Sequence, residues 1–175
     1  MKTINTKRPW DINEFTARVR QLNEKWWQDP HTGLPIERNP YELLALVVSE
    51  LSECLEGERK NLMDDKLPHR RMAEVEMADA YIRLADFSGG FGLILDLDRL
   101  PVWEVPENKG HALFLIGRDL GQSEWAIQTA IDRIELYCAK HRYDLFGAIE
   151  EKLAYNAVRK DHTLEARRAE GGKKF

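Results

Sequence analysis

An all-α bundle of about five to six helices is the fold this sequence predicts. Three observations carry that reading. Apolar residues recur at helical spacing in several separate stretches, and residues that start helices stand in front of them. No stretch shows the period-two alternation of a half-buried strand.

The first helix is expected over residues 12 to 28, where Phe15, Val19, Leu22 and Trp26 fall on one face and Asp11 or Asn13 offers an N-cap. The loop DPHTGLPIERNP ends it. Asn39 followed by Pro40 then reads as a cap with proline in the first turn of a second helix, which continues through LALVVSELSECLEGERK. A third helix resumes at Arg70 and is expected to stop at Ser88-Gly89-Gly90. Residues 91 to 107 contain two prolines and are left open between a short helix and an extended segment. Helical patterns follow from Asn108 to about Leu120, from Ser123 to His141, and from Asp144, as cap, through LFGAIEEKLAYNAVRK. Residues 1 to 162 are expected to form a single domain, and the basic tail 163 to 175 to be mobile unless a ligand or subunit orders it.

The chain of 175 residues carries a formal charge of −4, so a global basic field is absent and nucleic acid is not the expected partner. Cys54 and Cys138 lie far apart with no CxxC spacing, which indicates neither a zinc site nor a disulfide framework and fits a cytoplasmic protein. No signal-peptide or membrane-spanning run is present, so no membrane partner is expected.

The anomaly is charge inside apolar rows. Positions three apart on a helix share a face, so Glu50 and Glu53 point the same way, as do Glu76 and Asp79. Glu50 lies in one row with Val47 and Cys54, and Asp79 with Val75 and Ile82. Either pair alone is an ordinary feature of a solvated face. Two such pairs on helices joined by a short loop converge if the stripes face each other, and like-charge repulsion then demands cations. Oxygen-only ligation favours a hard divalent ion, Mg²⁺ by default. A di-iron site would instead expect Glu-x-x-His motifs, and neither pair has that histidine. Glu56, Glu58 and Glu74 read as solvated or supporting residues.

In the last long helix Lys152, Asn156 and Arg159 share a narrow arc. A point charge, an amide and a planar guanidinium in a row suit a polyphosphate, although a solvated basic face has the same pattern. Trp26 is expected in the core, with Trp27 turned about 100° away to meet a base or a subunit. Asn23 is a further candidate for contacting a base. His69 reads as a loop or cap residue and Cys54 as small core.

The segments SELSECLEGERK, LPHRRMAEVEMADAYIRLADFSGGFGL and EEKLAYNAVRKDH, in that order, resemble the all-α nucleoside triphosphate pyrophosphohydrolases, in particular MazG-like proteins of bacteria and phages. The resemblance spans roughly residues 40 to 162 and matches an ExxE helix, an ExxD helix and a Lys, Asn and Arg helix. It departs at Ser49, where the common form has another glutamate. The resemblance implies Mg²⁺-dependent cleavage of a nucleoside triphosphate between the α and β phosphates, with Mn²⁺ as a substitute ion. It implies Glu50, Glu53, Glu76 and Asp79 as metal ligands, with Glu50 and Glu53 also catalytic. Lys152, Asn156 and Arg159 would hold the phosphates, and the chain would assemble as a homodimer or homotetramer. The alternative is a helical nucleotide-sensing or protein-interaction module without turnover.

Overall fold

The structure, a computed structural model, describes residues 8–96 and 102–173. Those residues form helices α1 (Ile12–Leu22), α2 (Pro40–Lys60), α3 (Met72–Phe91), α4 (Lys109–Gly117), α5 (Glu124–His141), α6 (Leu145–Val158) and α7 (Leu164–Arg168). Two short 3-10 turns, Glu24–Trp27 and Lys160–His162, complete the helical elements. Among the described residues there is no strand, only two isolated bridges, and no helix is long and apolar enough to cross a membrane. The fold is an all-α bundle.

Helix starts follow local chemistry. The Asp11 carboxylate accepts from the backbone N–H of Asn13 and Glu14 at 2.8 and 3.2 Å, which makes it the cap of α1. Asn13 instead ties down the chain beyond α3, exchanging two hydrogen bonds with the backbone of Leu95. Asn39 caps α2 through the N–H of Tyr41, with Pro40 in the first turn. Asp144 caps α6 through the N–H of Gly147.

α4 and α6 stop two to three residues short of the expected Leu120 and Lys160, and two further helix ends differ with consequences for packing. The first helix stops at Leu22, and the chain tightens into the 3-10 turn instead of running to residue 28. A 3-10 turn has about three residues per turn, so the side-chain phase shifts and Trp27, not Trp26, enters the core. The third helix runs through Gly89 and Gly90 and ends at Phe91, with Gly92 adopting the left-handed C-cap at φ 66°. The two internal glycines serve close approach. A methyl at Gly89 would lie 2.6 Å from the Thr16 carbonyl oxygen, and one at Gly90 would lie 2.1 Å from ring carbons of Trp27.

The architecture centres on α3. Most of its residues from Ala73 to Ser88 are buried, because α1, α2, α5 and α6 all pack on it. α2 is its principal neighbour, and α4 covers α2 and α5. Tyr81, Met77 and Leu84 of α3 join Phe15, Ile131, Ile134 and Ile149 in one continuous core. Cys54 and Cys138 are small buried thiols within it.

Of the stretch left open, residues 93–96 and 102–107 are irregular chain, with Trp103 and Val105 laid against the core, and residues 97–101 lie outside the described part. Residues 163–173 of the basic tail, for which composition leaves mobility or ordering by a ligand or subunit open, include α7, which lies against the first 3-10 turn. The Arg167 guanidinium is buried 4.6 Å over the Trp26 ring and donates to the carbonyls of Lys25 and Gln28.

Substituting Gly90→Ala is expected to destabilise the protein by about 1–3 kcal/mol through overpacking against Trp27, despite the better helix propensity of alanine. The denaturant midpoint checks this, and an unchanged or raised midpoint would mean that the indole moves aside freely.

Candidate active site

One cavity of about 520 Å³ opens between α2, α3, α6, the first 3-10 turn and the C-terminal segment. That volume lies within the usual range for small-molecule sites. The antiparallel pair α2 and α3 supplies its acids. Glu50 and Glu76 are buried, Asp79 nearly so, and one carboxylate oxygen from each lies within 4.8 Å of the others. Glu53, one turn from Glu50, lines the same cavity from a more exposed position. The four acids expected to converge therefore do so, three as a tight cluster and Glu53 at its edge.

Cations are already in place around the cluster. Lys152 reaches in from α6 and donates to Asp79 Oδ2 at 2.6 Å, with only 6 % of its side chain exposed. The Arg83 guanidinium, one turn beyond Asp79, pairs with Glu50. Burial, followed by the charge of Asp79, pushes the Glu76 carboxyl far above the ordinary carboxylate range, against the pull of Lys152. Burial likewise pushes Asp79 up to about 6, opposed first by Lys152. Partial burial and the neighbouring Glu50 raise Glu53. Burial disfavours the Lys152 ammonium, but Asp79 and Glu76 more than offset this and hold its pKa above the usual value.

The other two members of the basic row stand further along α6. Asn156 lines the cavity with a buried side-chain oxygen that has no hydrogen-bond partner among the described residues. Arg159 follows the last turn, stacked 5.6 Å from the Tyr155 ring and forked onto Asp161 at 2.8 and 2.7 Å. His162 and Lys173 also line the cavity, so the C-terminal segment forms part of its wall.

Of the candidates for a base contact, Asn23 lines the cavity and Trp27 does not. Trp27 is buried, and its indole N–H donates to Asp86 at 3.2 and 3.3 Å. Trp26 takes the cavity position instead, for the phase reason given above. Ser49 adds nothing to the acids, since its hydroxyl donates back to the Leu46 carbonyl. Of the two roles left open for Glu58 and Glu74, solvated or supporting, the structure shows the supporting one. Glu58 accepts from the hydroxyls of Tyr137 and Tyr143, and Glu74 pairs with Arg70 and accepts from the backbone N–H of Asp144. His69 pairs at the surface with Glu151 of α6.

Sequence reasoning missed Asp64, Arg83, Asp86 and Arg38, all of which line the cavity. Asp64 is the buried hub of the loop between α2 and α3, accepting from the N–H of Lys66 and Leu67 at 2.9 and 2.6 Å. Arg83 and Asp86 continue the α3 stripe that starts with Glu76 and Asp79, a periodic signal that was present in the sequence.

Compared with protein-family models, with curated proteins and with solved structures, the chain matches none.

The donor set suits a hard cation: all-oxygen ligands, mutually repelling and buried. The raised carboxyls also set the pH dependence of stability. A native carboxyl that keeps its proton after the unfolded one has released it makes stability fall as pH rises above about 4.5, the ordinary glutamate value. Glu76→Gln is therefore expected to stabilise the metal-free protein, with a gain that grows between about pH 5 and pH 8. Thermal melts of both forms in chelator across that range check it, and a gain that shrinks with pH contradicts it.

Proposed function

We propose that the chain is a Mg²⁺-dependent nucleoside triphosphate pyrophosphohydrolase, releasing a nucleoside monophosphate and pyrophosphate. The observation that carries this reading is the convergence of Glu50, Glu76 and Asp79 with Lys152, Asn156 and Arg159 on one cavity. Acids alone repel a triphosphate, and cations alone do not activate water. The resemblance to MazG-like proteins in the order of these motifs supports the same reading.

Glu50, Glu76 and Asp79 would hold the divalent ion, which supplies Lewis acidity and charge neutralisation at the phosphates when bound. Glu53 lies at the edge of the cluster with a raised proton affinity, so it is the acid suited to take the proton of the attacking water. Lys152 holds the acids in balance through Asp79 and offers its remaining donors to phosphate oxygens. Arg159 exchanges the Asp161 carboxylate for the outer phosphates, because its planar fork fits both. Two copies of the chain, as a homodimer or as half of a homotetramer, would bring further apolar helix faces together, since Phe114, Trp125 and Tyr41 are exposed.

One observation favours the second reading, a nucleotide-sensing module without turnover: the Lys152 ammonium already pairs with Asp79, one of the three clustered acids, at 2.6 Å. The two readings separate on pyrophosphate release. With Mg²⁺ or Mn²⁺, a panel of ribo- and deoxynucleoside triphosphates is expected to give pyrophosphate rather than single phosphate. Asp79→Asn is expected to lower that rate by about two orders of magnitude while leaving the protein folded. Arg159→Ala is expected to act mainly on KM. Nucleotide binding with no pyrophosphate from any substrate would establish the sensing module instead.

A further inference from the structure

The cavity has a second polar end that phosphate chemistry does not use. Along α3 the lining residues Glu76, Asp79, Arg83 and Asp86 form one stripe. Seven residues separate Asp79 from Asp86, a rise of roughly 10 Å along the helix. On the antiparallel α2 the opposing residues run from Glu53 and Glu50 to Leu46 and Leu43. The walls therefore pass from acidic, through the apolar side chains of Leu46, Leu43 and Ile82, to a far end occupied by Asp86 and Arg38.

Both far-end groups are buried, at 7 % and 6 % exposure. Trp27 fixes the Asp86 carboxylate with its indole N–H. Arg38 is held by one donor, Nη1 on the Trp26 carbonyl at 2.6 Å, while its Nη2 is buried without a partner among the described residues. Asp86 and Arg38 feel each other's charge, yet no ion pair joins them. The unmet capacity here is that of Arg38 Nη2, whose burial without a partner costs stability unless a ligand fills it, while the Asp86 oxygens accept from Trp27 and keep further lone pairs.

We propose that this end of the cavity is a guanine subsite, in which the Asp86 carboxylate accepts from the ring N1–H and the exocyclic amine and Arg38 donates to the O6 carbonyl. Guanine presents two adjacent N–H donors followed by an acceptor, the complement of a carboxylate beside a guanidinium. Uracil and thymine place one N–H between two carbonyls, and adenine and cytosine set an acceptor nitrogen beside the amine, so a carboxylate meets repulsion on each of them. Burial pushes Asp86 up to about 6, and the hydrogen bond from Trp27 and the charges of Arg20 and Arg38 favour its ionised form. Leu43, Leu46 and Ile82 give the base apolar walls, and Trp26 gives it an aromatic one.

This assignment rests on reading the cavity as a nucleotide site, and its test separates the two. Calorimetric titration of GMP, IMP, AMP and UMP into the full chain in chelator needs neither metal nor turnover. GMP is expected to bind at least about 10-fold tighter than IMP, which lacks only the exocyclic amine. Asp86→Asn keeps an acceptor for Trp27 but replaces the second acceptor with a donor. It is expected to lose that preference and to favour XMP, whose 2-carbonyl accepts from the new amide. Equal affinities for the four monophosphates, with pyrophosphate still released from triphosphates, overturn the guanine subsite and leave the hydrolase standing. Guanine-selective binding without pyrophosphate release supports the subsite and overturns the hydrolase. Binding of none of the four overturns the subsite.

Discussion

The rest of this structure depends on one costly placement, the carboxylates of Glu76 and Asp79 on a helix that is buried around most of its circumference. A buried carboxylate must be paired, protonated or bound to a cation. Two of these answers are visible: Lys152 pairs with Asp79 and Arg83 with the neighbouring Glu50, and the raised Glu76 and Asp79 carboxyls show the pull toward protonation. The third, a divalent ion, is the one the proposed function adds. Because α3 lies at the centre of the bundle, its neighbours decide the stripe's surroundings: α2 adds Glu50 and Glu53, and α6 brings the countercharge of Lys152.

How much of this was legible in the sequence depends on how local each signal is. The starts of α1, α2 and α6 are announced by Asp11, Asn39-Pro40 and Asp144, whose hydrogen bonds reach only two or three residues. Glu50, Glu76 and Asp79 stand out because acids in an apolar row are anomalous wherever the helices go. The turn after Leu22 carries no such mark, and extending a 3.6-residue period through it exchanged the roles of Trp26 and Trp27. The sequence left Glu58 open between a solvated and a supporting residue because its partners Tyr137 and Tyr143 lie far along the chain.

Asp86 and Arg38 show two different kinds of illegibility. Asp86 lies on the same stripe as Asp79, but it precedes Ser88-Gly89-Gly90, which reads as a helix end unless the glycines are needed for close approach. They are needed: Thr16 and Trp27 fill the space where their side chains would be. Arg38 stands in a loop, where no periodicity assigns a direction, and only the folded chain reveals its burial. The same holds for Arg167, whose basic neighbours suggest solvent although its guanidinium is packed on Trp26.

The antiparallel pairing of α2 and α3 also orders events in time. The two helices are joined by the short segment from Asn61 to Arg71, and closing a loop of that size takes on the order of 10–100 ns. Lys152 belongs to α6, far along the chain, and loop-closure entropy delays its arrival. On loop-closure entropy alone the acids are expected to meet before their lysine does. Until Lys152 arrives, Arg83 is the countercharge the hairpin carries itself, paired with Glu50, and Asp79 is left to protons or to a cation from solution.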